Sequence, residues 1–72
     1  MAVSYNKLWK LLIDKKMSKA ELRRAAKVAP NTMTKLSRDE EVSVGVLERI
    51  CAVLGANIGD IMDFVPDEEK NN

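Results

Sequence analysis

The chain has 72 residues, 46% hydrophobic and 32% charged, with a formal net charge of +1. That length holds one domain and leaves no room for a second core. No apolar run is long enough to span a membrane or has the pattern of a signal peptide, and a single cysteine cannot form an internal disulfide, so a reducing cytoplasmic setting is expected.

The charge is far from even. Residues 1–38 carry ten lysines and arginines against Asp14 and Glu21, a net of +8. Residues 39–72 carry Arg49 and Lys70 against nine acids, a net of −7. A molecule this dipolar is oriented by a polyanion, basic half first.

Met1 to Val3 reads as a short lead-in. Ser4 can cap a first helix from Tyr5 to about Lys16, with Tyr5, Leu8, Trp9, Leu12 and Ile13 as its apolar stripe. Trp9 is expected in the core, and Lys7 as a solvated side chain. Ser18, with Glu21 three residues on, has the spacing of a capping box and opens a second helix to about Ala26. Leu22, Ala25 and Ala26 are its inward face, and Val28 plugs the turn that follows. The third helix starts either with Pro30 in its first turn or with Asn31 as its cap. Met33 and Leu36 point inward in both cases. Asn31, Thr32, Thr34 and Lys35 are then left outward, with Arg38 at the end. These are side chains that read base edges: Asn pairs with adenine, Thr donates, accepts or meets a thymine methyl, and Lys reaches guanine acceptors.

An acidic loop follows at residues 39–41. Ser43 can cap a fourth helix whose stripe is Val44, Leu47, Ile50, Cys51 and Leu54, with Gly55 ending it in a left-handed turn. Asn57 can cap a last helix bearing Ile58, Ile61, Met62 and Val65, stopped by Pro66. Residues 67–72 form an acidic tail, expected to be disordered. The result is an all-α chain of five helices with no strand pattern: a domain over residues 1–66 and a tail.

Chemistry is absent where an enzyme would need it. There is no histidine, no glycine-rich phosphate loop and no base beside Cys51. No catalytic residue, metal, cofactor or small-molecule ligand is expected.

The stretches SKAELRRAAKVAPNTMTKL and VLERICAVLGANIGDIM together resemble the Cro and phage-repressor (XRE-like) type of helix-turn-helix regulator, in a small single-domain bacterial form. The resemblance covers about residues 5–65. It implies a five-helix lambda-repressor-like domain, with helices two and three as the motif and helix three in the major groove. Carried over by position, base reading falls on Pro30, Asn31 and Lys35, with Thr32 and Thr34 beside them. The phosphate contacts fall on Ser18, Lys19, Arg23 and Arg38. Double-stranded DNA and a second copy of the chain are the implied partners, the copies meeting through the last helix or through Val46 and Val53. The chain departs from the pattern at Pro30, which offers no polar group. It departs again at Lys19, where relatives often have glutamine, and at Arg23, where they have a small residue. Lys27 stands in place of a turn glycine, and loop 39–41 has the wrong charge for a phosphate neighbour. Those departures leave an alternative: an antitoxin-like or co-regulator module that keeps the fold without specific DNA reading.

Overall fold

A computed structural model describes residues 2–66; the acidic tail expected at 67–72 lies outside them. The element order is β1 (Ala2–Ser4), α1 (Asn6–Asp14), α2 (Lys19–Ala25), α3 (Pro30–Ser37), α4 (Val44–Leu54), a 3-10 turn (Ile58–Asp60) and β2 (Asp63–Val65). One core gathers side chains from β1 and all four helices, with Ile61 from the stretch after the 3-10 turn. Tyr5, Leu8, Leu22, Leu36, Ile50 and Ile61 are its most deeply buried members.

The helix ends obey local rules. The Ser18 hydroxyl accepts from the Glu21 N–H at 3.0 Å, and the Glu21 carboxylate accepts from the Ser18 N–H at 2.9 Å, completing the capping box of α2. Ser43 caps α4 through the Val46 N–H at 3.3 Å. Pro30 occupies the first turn of α3, so the first of the two starting points holds, with Ala29 at the cap position and no side chain capping it. Each of the four helices is followed by a left-handed residue. Only the last is glycine: Lys16, Lys27 and Asp39 each have φ of 56°, and Gly55 has 63°.

The expected fifth helix is not there. The described residues form four α-helices, and the stretch meant for the fifth makes one 3-10 turn and then a strand. β2 pairs antiparallel with β1, with Ala2 opposite Val65, Val3 opposite Phe64 and Ser4 opposite Asp63. Gly59 weakens helix propensity in the middle of the stretch. Phe64 and Val65 favour an extended backbone, and Pro66 holds the residue before it there. The Ile58, Ile61, Met62 and Val65 spacing imitates a helical stripe, yet only Ile61 is fully buried. The lead-in at residues 2–4 is the partner that turns this segment into a strand.

Single positions also differ from expectation. Ala25 is exposed, because α2 packs on Leu22 and Ala26 alone. Ile13 and Val44 are exposed at the ends of their helices, and Trp9 is half-buried at the edge of the core. Val46 is buried and so offers no open face to a second copy, while Val53 is half-buried. Lys7 is not simply solvated: its Nζ lies 3.1 Å from the Asp63 carboxylate and 3.1 Å from the Gly59 carbonyl, tying α1 to the chain's return.

Candidate nucleic-acid interface

α3 is eight residues with two sides. Met33 and Leu36 anchor it in the core, and their spacing turns Asn31, Thr34 and Lys35 to solvent on one face, with Thr32 half-buried beside them. The Thr34 hydroxyl donates to the Pro30 carbonyl at 3.2 Å. Its proton is therefore committed, and what it presents outward is an acceptor oxygen and a methyl group. Pro30 presents no polar side chain and serves to start the helix.

Two cations of α2, Lys19 and Arg23, converge with Arg38 at the end of α3. Lys19, Arg23, Thr34, Ser37 and Arg38 line one shallow cleft of about 330 Å³ between the two helices. Arg23, where a small residue was implied, lies half-buried along this cleft between α2 and α3. Ser18 is close by in the chain, and its hydroxyl accepts in the capping box. Asn31, Thr32 and Lys35 lie outside the cleft, on the exposed side of α3.

Two residues the sequence had placed elsewhere shape this surface. The Lys19 Nζ sits 4.2 Å from the centre of the Trp9 ring and 3.4 Å from the Ser37 hydroxyl. A cation over an indole face is held where a bare surface lysine would wander. Trp9 thus holds Lys19 beside Ser37 at the edge of the cleft. Arg49, from α4, donates its Nε–H to the Ala26 carbonyl at 3.0 Å, bracing the C-terminal end of α2 beside the turn. Lys27, in that turn, holds the left-handed conformation that glycine holds most cheaply. Helical spacing from Thr34 could have found Ser37. The Trp9 and Arg49 contacts span ten or more residues and left no local trace.

The acidic loop is partly turned inward. The Asp39 carboxylate accepts from the Tyr5 N–H at 3.0 Å, and the Glu40 carbonyl accepts from the Tyr5 phenol at 2.8 Å. The Glu40 N–H in turn donates to the Lys35 carbonyl at 2.9 Å. Burial, together with the nearby Asp39 and Glu41 carboxylates, pushes the Tyr5 phenol above its ordinary pKa. Half-buried Asp39 is therefore a structural acid that ties the end of α3 to the start of α1, while the Glu40 and Glu41 side chains stay exposed. Cys51 is half-buried with its thiol pushed up, chiefly by burial, which keeps it protonated and unreactive at neutral pH.

Two short helices joined by a tight turn, the second exposing Asn, Thr and Lys and the first flanking it with cations, make a helix-turn-helix DNA-binding surface. The comparisons agree. The profile of the Cro/C1-type helix-turn-helix DNA-binding domain matches residues 7–67, and the chain belongs to that family. The crystal structure of the transcriptional regulator VanUg (form II) is 52% identical to it. The two superpose with a TM-score of 0.89 over 90% of this chain and 87% of that one. No curated protein matches significantly. The protein is a sequence-specific DNA-binding transcription regulator. No helix among the described residues is long and apolar enough to cross a membrane.

Proposed function

We propose that α3 enters the major groove, with Asn31, Thr32, Thr34 and Lys35 reading base edges and Ser18, Lys19, Arg23 and Arg38 holding phosphates on either side. The observation that carries this reading is the arrangement of α3. Its polar face is open, and the cleft along its flank is lined by three cations, one of them held by Trp9. Asn31 pairs with adenine and Lys35 with guanine acceptors, while Thr34 meets a thymine methyl or accepts a base amino proton. The Ser18 hydroxyl only accepts in the capping box, so its own proton is free for a phosphate oxygen, whereas its backbone N–H is already given to Glu21.

So small a reading surface covers few base pairs. The protein therefore acts as a homodimer on a two-fold-related site, with half-sites about one helical turn apart. Residues 1–66 constitute the binding domain and residues 67–72 an acidic tail.

Fluorescence anisotropy with duplex DNA across a salt series tests this. Each phosphate neutralised by a lysine or arginine contributes a slope of about −0.9 in log K against log salt, so Lys19, Arg23 and Arg38 together give about −2.7 per subunit. Lys35→Glu should abolish selective binding, and Lys19→Ala should flatten the slope by about one contact while leaving the preferred sequence unchanged. Binding that ignores both substitutions would move the reading to a protein-interaction module on the same fold. Sedimentation on a palindromic duplex should give two chains per site, and one chain per site would remove the dimer.

A further inference from the structure

The sequence offered no pocket, yet the structure has one, away from α2 and α3. A trough of about 770 Å³ opens between the first turns of α4 and β2. Its floor reaches the core at Val3, Tyr5 and Leu47. Val44, Ile58 and Phe64 stand along it, 79%, 49% and 64% exposed. They are three of the four large hydrophobic side chains left exposed among the described residues. Scattered apolar residues on a surface need no explanation, but three gathered over one concavity do.

The charge around this trough narrows what fits it. Glu41, Glu48 and Asp63 line it, and no lysine or arginine does. Only Asp63 has a cation against it, from Lys7 at 3.1 Å. A nucleic acid would be repelled. A second copy docked by a two-fold axis would set these carboxylates against their own equivalents. The residues that follow Pro66 begin Asp67-Glu68-Glu69, the same sign again and without an apolar side chain to fill the trough. The complementary occupant is apolar on one side and positively charged at its margins.

We propose that this trough docks a basic amphipathic segment of another protein, its apolar side chains on Val44, Ile58 and Phe64 and its lysines or arginines on Glu41 and Glu48. None of the residues assigned to base or phosphate contact lines the trough, so the regulator holds DNA and this partner at the same time. An amphipathic helix laid into an apolar groove is the simplest form of such a partner. The proposal goes beyond DNA binding and stands or falls separately from it.

The probe is a fluorescein-labelled amphipathic helical peptide of leucine and lysine. A counterpart with glutamate for lysine serves as control, and both are titrated into the full chain at roughly 0.15 M salt. The lysine peptide should bind at one per chain and shift the amide resonances of Val44, Ile58 and Phe64, while the glutamate peptide should not. Phe64→Ser, and separately Glu48→Lys, should each weaken the lysine peptide about ten-fold or more, with DNA affinity and thermal midpoint unchanged. Three outcomes would overturn the proposal: no binding, binding indifferent to both substitutions, or equal binding of the two peptides. A protein dimer that Phe64→Ser dissociates would overturn it too, by giving the trough to a second copy.

Discussion

Two lysines on the basic half are held in a backbone conformation that suits glycine. Lys16 and Lys27 follow α1 and α2 with φ of 56°, where a side chain's Cβ crowds the following carbonyl. Lys16→Gly should therefore stabilise the domain by about 1 kcal/mol, seen as a rise of several degrees in the thermal midpoint. Lys27→Gly should do the same while removing one charge beside the motif. Ser18 works in the opposite sense: Ser18→Ala, which uncaps α2, should cost about 1 kcal/mol. Glu21, the other half of that box, has its carboxyl held below the usual range, first by the Ser18 backbone N–H. Its folded pKa lies below its unfolded one, so the stability it brings is present above the ordinary carboxylate range and is lost as pH falls through the folded value. The gap in thermal midpoint between the native chain and Glu21→Gln should close on acidification, and a gap that persists at low pH would show that the carboxylate's charge is not what matters.

Among the elements, α1 and α3 are coupled through one side chain. Tyr5 sits at the start of α1 without capping it, while its backbone N–H and phenol donate to Asp39 and Glu40 just past the end of α3. Tyr5→Phe should cost about 1 kcal/mol, the net value of one buried hydrogen bond. The raised phenol pKa adds a pH signature. Stability from the neutral phenol is complete below its unfolded pKa, near 10, and is lost as pH rises through the higher folded value. Chemical denaturation at rising alkaline pH should show the native chain losing this part of its stability and the phenylalanine variant not losing it. Such contacts explain what the sequence could and could not disclose. The capping box, the inward Met33 and Leu36 and the outward Asn31, Thr34 and Lys35 all follow from neighbours within four residues, which a linear reading sees. The Tyr5 bridge spans more than thirty residues. β2 exists because residues 2–4 are there to pair with it. Read alone, its apolar spacing is that of a helix, and only the folded chain decides between the two.

At the scale of the molecule, the uneven charge lies along the division of labour. The cations concentrate on the motif, and the acids concentrate on the α4 and β2 side that carries the apolar trough. The strand pair underlies that second face, because Val3 reaches the core opposite the exposed Phe64. Val3→Ala should cost about 1.5 kcal/mol and lower the urea midpoint without altering DNA selectivity. The same pairing sets Ala2 beside Val65, so these two points of the described backbone are neighbours. A polypeptide of this shape is one short bridge from a closed ring. Joining those two points with a brief flexible linker and opening the ring at an exposed turn would give a circular permutant. Its reading helix would be intact, and its new ends would lie at a place of the designer's choosing.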